Sequence, residues 1–322
     1  MARKLRLQFP GALYHVINRG NYRADVFGTE GAKTAFLGCL DEVCGKSGWK
    51  IYAWCLMSNH YHLALETPEP NLSEGMRWLQ ATFAARFNRF RRMNGHLFQG
   101  RFKGVLVEDG EPLANVCHYI HLNPLRAGIV DGEGLKDYPW TSLAWLMSSG
   151  RRPNWYTPAV ALEGAGNLRD DTRGRRKYVE YLNWMSQDEA LKKEAQFEKM
   201  CKGWAFGSRD FKRALLKDHG LLEAALELDG AEMVEAKELA WDETILKCLE
   251  ALGKSEEDLG ADRKSAKWKV AIATYMKERS LARNGWLADR LRMGNPKSLS
   301  CYVHSTRSDP PKELRVLKEL MP

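Results

Sequence analysis

Only Ser58 and Asn59 separate the apolar run at 49–57 from the run at 60–66, and two strands joined by so short a link pair as an antiparallel hairpin. That hairpin sits inside a longer alternation. Residues 12–18 are aromatic and β-branched and close on the turn-like Arg19-Gly20-Asn21, which predicts a first strand. Residues 30–46 bring Phe36, Leu37, Leu40 and Val43 to helical spacing, and residues 72–93 do the same with Met76, Leu79, Phe83, Phe87 and Phe90. The second of these helices is expected to turn Phe83, Phe87 and Phe90 to the core and its arginines outward. Residues 101–108 predict a fourth strand. Glu111-Pro112 then opens a helix running to about Arg126, which Asn123-Pro124 is expected to end or kink. The order strand, helix, strand, strand, helix, strand, helix is a split βαβ pattern with one helix appended. The expected fold class is α+β, a ferredoxin-like antiparallel sheet with helices on one face.

Beyond about residue 150 the strand signals stop. Arg151-Arg152-Pro153-Asn154 reads as a junction, and the helical pattern that follows breaks near Gly203, Gly220, Gly230, Gly253 to Gly260 and Gly285. The expected organisation is a first domain at 1–150, a linker with a connecting helix at 151–185, and an all-α domain at 186–322. Within the last, residues 286–291 can form a short helix and Met293-Gly294 its turn. Asn295 then stands as an N-cap and Pro296 at the first position of a second helix reaching His304. This is a helix-turn-helix candidate with Lys297, Ser298, Ser300 and Arg307 available to DNA. Packing against the first domain is the alternative.

Composition narrows the classes of function. The chain has 49 Lys plus Arg against 41 Asp plus Glu, a net charge of +8, so an acidic partner is expected and nucleic acid leads the candidates. No run approaches the ~18 apolar residues of a membrane span, which excludes a transmembrane protein. The basic start Met1-Ala-Arg-Lys-Leu-Arg leads into no apolar stretch, so no secretory signal is expected. Seven cysteines without a CxxC pair read as reduced thiols in a cytoplasm rather than as a zinc ribbon or disulfide scaffold.

His60-Tyr61-His62 opens the third strand. Alternate strand side chains share a face, so both imidazoles point to one side and Tyr61 to the other. Such a pair can chelate a divalent cation, although among eight histidines it also arises by chance as core or surface residues. Tyr119 and Asn123, four apart, share one helix face. A phenol can attack phosphorus, and an amide oxygen can complete a site of hard ligands. Tyrosine and asparagine at that spacing also serve structural roles. Arg86, Arg89, Arg91, Arg92, Arg101 and Lys103 are a phosphate-binding set or a solvated basic face.

The runs Leu56-Met57-Ser58-Asn59-His60-Tyr61-His62-Leu63, Phe98-Gln99-Gly100-Arg101-Phe102 and Tyr119-Ile120-His121-Leu122-Asn123-Pro124-Leu125-Arg126-Ala127-Gly128 occur in that order. With the opening Tyr14-His15-Val16 and Arg19-Gly20-Asn21, they resemble the REP-associated tyrosine transposases of the wider HUH class, over roughly residues 8–147. The resemblance implies that His60 and His62 are metal ligands for Mg²⁺ or Mn²⁺, that Tyr119 is the nucleophile, and that Asn123 completes the metal site. Tyr61 departs from the aliphatic residue usual between the histidines, and insertion-sequence relatives often carry Gln where Asn123 stands.

The implied activity is cleavage and strand transfer of single-stranded DNA beside REP-type palindromic hairpins, through a 5′-phosphotyrosine link, in a bacterial, nucleoid-associated cytoplasmic protein. Its oligomeric state is left open, as monomer or homodimer. Arg19, Arg23, Arg86, Arg89, Arg101 and Lys103 are candidate phosphate contacts, joined by Lys297 and Ser298 in the helical region. Tyr22 and Trp78 are candidate stacking platforms. His15, His118 and His121 are candidates for proton handling or DNA contact, with structural roles favoured for all three. The alternatives are a catalytically inactive hairpin-DNA-binding regulator and an RNA-binding protein that uses the same basic surface.

Overall fold

The computed structural model describes residues 7–148, 150, 152–220, 234–280, 282–306 and 308–321. The chain forms two compact units, one up to Ser208 and one from Arg209 onward.

In the first unit, β1 (Ala12–Arg19), α1 (Glu30–Ser47), β2 (Lys50–Leu56), β3 (His60–Thr67), α2 (Leu72–Arg91), β4 (Lys103–Val107) and α3 (Glu111–Arg126) follow the expected alternation. The short helices α4 (Ser142–Met147) and α5 (Ala159–Gly164) come next, then α6 (Thr172–Gln187), α7 (Glu189–Glu194) and the two-residue strand β5 (Ala205–Phe206). The sheet order is β2-β3-β1-β4-β5. Pairing is antiparallel except for the β4–β5 edge, and β1 runs against β3 from Ala12↔Thr67 to Arg19↔His60. The mixed α+β class is as expected, and the sheet gains a fifth strand.

Helices cover both faces of the sheet, not one. On the Tyr61 side, the α1 residue Phe36 lies 4.8 Å from the Tyr61 ring, and Gln80 of α2 donates to the Tyr61 hydroxyl at 2.8 Å. On the His62 side, Ala53, Cys55, Ala64, Val105 and Val107 pack with Leu113, Val116, Cys117 and Ile120 of α3. Both sides of the strands are apolar, and each methylene removed from water stabilises by roughly 0.8 kcal/mol. A single layer of helices would leave one of these faces wet.

Residues 152–208 belong to this same unit. Tyr178, Leu182 and Met185 of α6 share a core with Phe197, Met200 and Phe206. The unit boundary at Ser208 therefore falls later than the expected junctions at 150 and 185.

Two local expectations are corrected. Phe83 is buried and Phe87 half-buried, but Phe90 is 85% exposed, because the last turn of α2 outruns the core beneath it. Also, α3 continues through Asn123-Pro124 to Arg126 as one helix.

Gly75 of α2 lies against Trp49, whose indole nitrogen donates to Asn71 at 2.8 Å. A Cβ at position 75 would stand 2.2 Å from the Trp49 ring. Gly75→Ala is therefore expected to destabilise this unit by about 1–3 kcal/mol, read as a lower urea midpoint at unchanged slope.

The second unit is helical: α8 (Arg209–Asp218), α9 (Val234–Ala251), α10 (Asp258–Ala261), α11 (Lys267–Arg279), α12 (Asn284–Arg290), α13 (Pro296–Ser305) and α14 (Lys312–Leu320). Its core joins Trp241, Ile245, Ile272, Leu287, Leu299 and Leu317. The buried Asp242 carboxylate accepts from Arg209 at 3.0 Å, from Arg213 at 2.7 Å and from Arg290. The Asn295 side chain caps α13 by accepting from the Ser298 amide at 2.8 Å, with Pro296 in the first turn and Gly294 at a φ of 91°. Arg151, Gly230 and Arg307 lie outside the described residues. No described helix is long and apolar enough to cross a membrane.

Candidate active site

The β1–β3 register places Ile17 opposite His62 and His15 opposite Ala64, so His15 and His62 are diagonal neighbours on one face. A chain of hydrogen bonds fixes their tautomers. The Met200 carbonyl can only accept, so His15 donates to it through Nδ1 at 3.0 Å. The bare Nε2 of His15 then accepts from His62 Nδ1 at 2.9 Å. That leaves the lone pair of His62 on Nε2. His60 reaches the same tautomer separately, donating through Nδ1 to the Asn59 side-chain oxygen at 2.7 Å.

The two rings of the His60-Tyr61-His62 pair are 5.1 Å apart. Both are kept neutral. Burial, helped by Arg19, pulls His60 down to about 4, and burial with the neighbouring imidazoles holds His62 well below its ordinary value. Burial likewise lowers His15 to about 4. Neutral imidazoles with Nδ1 tied to second partners are the form that ligates metals.

Helix α3 brings Tyr119 to this pair. Its ring lies 5.7 Å from that of His62 and 5.8 Å from that of His15. Arg126, two turns on, sets its guanidinium 4.5 Å from the Tyr119 ring centre. The side-chain nitrogen of Asn123 donates to the Tyr119 carbonyl at 3.0 Å, which fixes the amide one turn beyond the tyrosine.

The chain after α7 closes over the phenol. Phe197 meets the Tyr119 ring edge-on at 5.4 Å, and Cys201 shares a hydrogen bond with the hydroxyl at 3.2 Å. Tyr119 is only 8% exposed. Burial and then Cys201 push its hydroxyl up to about 12, against the opposing pull of Arg126. A cleft of about 910 Å³ opens beside this segment, lined by Arg126, Phe197, Lys192 and Lys199 among others.

The structure thus brings together His60, His62 and Tyr119, with Asn123 one turn from the tyrosine. It adds Cys201, and it sets His15, read above as a candidate for proton handling or DNA contact with a structural role favoured, against His62. The signal for His15 was its parity with His62 in an antiparallel pair whose register the sequence does not reveal. Cys201 carried no local signal. His118 and His121 are buried beneath α6: both hydrogen-bond the Tyr178 hydroxyl, at 3.0 and 2.8 Å, and His121 also bonds Ser142.

Among the cationic candidates, Arg19, Arg23, Arg89 and Arg101 are exposed and Lys103 is half-buried. Arg86 is engaged by the Glu42 carboxylate at 2.6 and 3.0 Å, so its charge is already paired. Arg101 lines a hollow of about 520 Å³ with Gln80, His96 and Phe98. Tyr22 is 94% exposed on left-handed backbone, whereas Trp78 is half-buried under the Lys46 ammonium, 4.0 Å from its ring centre. In the helical unit Lys297 is exposed, and Ser298 gives its amide to the Asn295 cap.

Residues 9–123 match the family model of IS200-like transposases. A curated relative from Haemophilus influenzae, named among the REP-associated tyrosine transposases, is 28% identical over 118 residues. The match spans 33% of this chain and 66% of that protein, just under two thirds of its length. Among solved structures, a REP-associated tyrosine transposase bound to a REP hairpin is similar at a TM-score of 0.40 and 19% identity, covering 49% of this chain and 92% of that one. The resemblance carried by the three motif runs is shown by the family match and the curated relative.

Proposed function

We propose that this chain, whose N-terminal part resembles the REP-associated tyrosine transposases, is a divalent-metal-dependent endonuclease and strand transferase of single-stranded DNA, acting beside REP-type hairpins. The observation that carries this reading is the Tyr119 ring lying 5.7 Å from His62 at the strand end that also holds His60. The strand order β2-β3-β1-β4 supports the ferredoxin-like reading of the catalytic unit.

His60 and His62 fit a divalent cation, because their hydrogen bonds leave both Nε2 lone pairs unprotonated. The Asn123 amide oxygen is the further ligand in this reading. A bound Mg²⁺ or Mn²⁺ supplies polarisation of the scissile phosphate. The rest is work for the chain's own residues. The Tyr119 oxygen forms a bond to phosphorus while the bond to the 3′-oxygen breaks. The phenolic proton is lost and the departing oxygen becomes a 3′-hydroxyl. The 5′-phosphotyrosine so formed keeps the phosphodiester energy, and attack by another 3′-hydroxyl reverses the step as strand transfer. Arg126, over the ring, favours the phenolate. Cys201 must give up its hydrogen bond before a phosphate reaches the tyrosine oxygen.

Arg19, Arg23, Arg89 and Arg101 are the exposed cations suited to the DNA backbone. Lys297 and Ser298 on the α12–α13 pair, read as a helix-turn-helix, are suited to a duplex stem. Hairpin DNA is the partner in this reading, resting on the ordered motif runs and on the likeness of residues 9–123 to the IS200-like transposases.

The test is a labelled single-stranded hairpin oligonucleotide incubated with protein and Mg²⁺, Mn²⁺ or EDTA, scored for a protein–DNA adduct on a denaturing gel. A metal-dependent adduct is expected; tight binding with no adduct in either metal would leave only a hairpin-binding regulator. The same assay has a pH signature. Because burial holds the Tyr119 hydroxyl near 12, the reactive phenolate grows as pH rises through the neutral range. Adduct formation should therefore rise roughly tenfold per pH unit between about 6 and 9. The lowered value of His60, about 4, predicts no acid loss centred near 6.5. A rate that is flat above neutrality would contradict attack by a buried phenol.

A further inference from the structure

The geometry points to a second metal site, made by His15, His62 and Cys201, that takes zinc and pins the chain after α7 over Tyr119. One nitrogen of each histidine and the Cys201 sulfur lie within 4.8 Å of one another. They arrive from β1, from β3 and from the segment beyond α7, so that the fold and not a local motif assembles them. Among the described residues, this is the group of three His, Cys, Asp or Glu side chains whose donor atoms converge on a metal-sized volume. His15 is fully buried, His62 nearly so, and Cys201 half-buried.

The donor set selects the ion. Two imidazoles and a thiolate suit zinc, whereas Mg²⁺ and Mn²⁺ prefer oxygen ligands. Bond lengths of about 2.0–2.1 Å to nitrogen and about 2.3 Å to sulfur put tetrahedral donors roughly 3.3–3.7 Å apart. The observed His15 Nε2 to His62 Nδ1 separation of 2.9 Å needs to open by a few tenths of an ångström, while the sulfur moves inward. The Tyr119 hydroxyl, 3.2 Å from the Cys201 sulfur, borders the site. On binding, the thiol proton passes to solvent and the thiolate takes its place on the metal.

His62 cannot serve both sites at once. With its proton on Nδ1, its free lone pair is on Nε2, the atom that the cleavage-site reading uses. As a zinc ligand through Nδ1, it must carry the proton on Nε2 instead. Zinc would thus withdraw one histidine from the cleavage site and, through Cys201, keep Phe197 packed on the tyrosine. This consequence rests on the transposase reading; the metal site itself does not.

Cobalt(II) is the probe. The full-length reduced protein, without DNA, is titrated with Co²⁺ and followed for the near-ultraviolet thiolate-to-cobalt charge-transfer band, and the cobalt is then displaced with Zn²⁺. The expected result is a band saturating at one cobalt per chain and erased by one zinc. Cys201→Ser should abolish the band and weaken zinc binding on the order of 100-fold. His15→Gln, the second variant should the first misfold by circular dichroism, should weaken it similarly, and His60→Ala should keep the band. No band in the wild type, a band surviving Cys201→Ser, or a band lost with His60→Ala would each overturn the site. Adduct formation without the band would sink zinc and leave the transposase; the band without any adduct would do the reverse.

Discussion

Tyr119→Phe is expected to abolish the covalent protein–DNA adduct, by on the order of 10⁴-fold or more, while hairpin affinity stays within about twofold of the wild type. The change removes one oxygen and leaves the ring. The ring's edge-on contact with Phe197 at 5.4 Å, its place under Arg126 at 4.5 Å and its approach to His62 at 5.7 Å all survive. The hydroxyl's hydrogen bond is to the Cys201 thiol, a weak partner, so folding should lose at most about 1 kcal/mol. Stability and DNA binding are therefore insulated from the substitution, and chemistry is not. An adduct persisting in the variant would mean that another nucleophile attacks the phosphate. Loss of the adduct together with lost affinity would point instead to a collapsed site.

How far this site could be read in advance depended on how local each signal was. The β2–β3 hairpin was legible because two residues between strands leave the chain one way to pair. Asn295 and Pro296 were legible because capping is settled within a single turn: the Asn295 side chain accepts from Ser298, three residues on. Parity alone put His60 and His62 on one face. What failed depended on contacts between distant segments that no motif run announces. Ala53, Cys55, Val105 and Val107 make the His62 side of the sheet apolar, but only the assembled sheet shows that they form one surface needing its own layer of helices. Phe90 follows the periodicity of α2 faultlessly and is still exposed, because periodicity does not say where the core ends. Cys201 is 82 residues from the tyrosine it touches, and His15 is 47 from the histidine it orients. The boundary at Ser208 escaped notice because Phe197, Met200 and Phe206 are too sparse to announce that they complete the first core.

His60→Ala and His62→Ala should each lower metal-dependent adduct formation by on the order of 10³-fold, yet the two should part in stability. His60 is half-buried at the start of β3, and its hydrogen bond is to the neighbouring residue Asn59, so its loss should cost less than about 1 kcal/mol. His62 lies deep between β1 and α3 and donates to His15. Truncating it opens a void beneath Tyr119 and leaves the buried Nε2 of His15 without its donor, a loss of about 1–3 kcal/mol. Urea unfolding of the two variants beside the gel assay separates these effects. Equal loss of activity with unequal loss of stability is what a shared metal and an unshared relay require. If either variant kept full activity in Mg²⁺ or Mn²⁺, the cation would have to be held elsewhere. If His60→Ala proved the less stable, the hydrogen-bond chain from Met200 through His15 could not be what orders the site. Removing the acceptor of the His62 proton tests the same point from the other side: His15→Ala should leave His62 free to hold its proton on either nitrogen, weakening metal-dependent cleavage about 10- to 100-fold while leaving His60 and His62 in place.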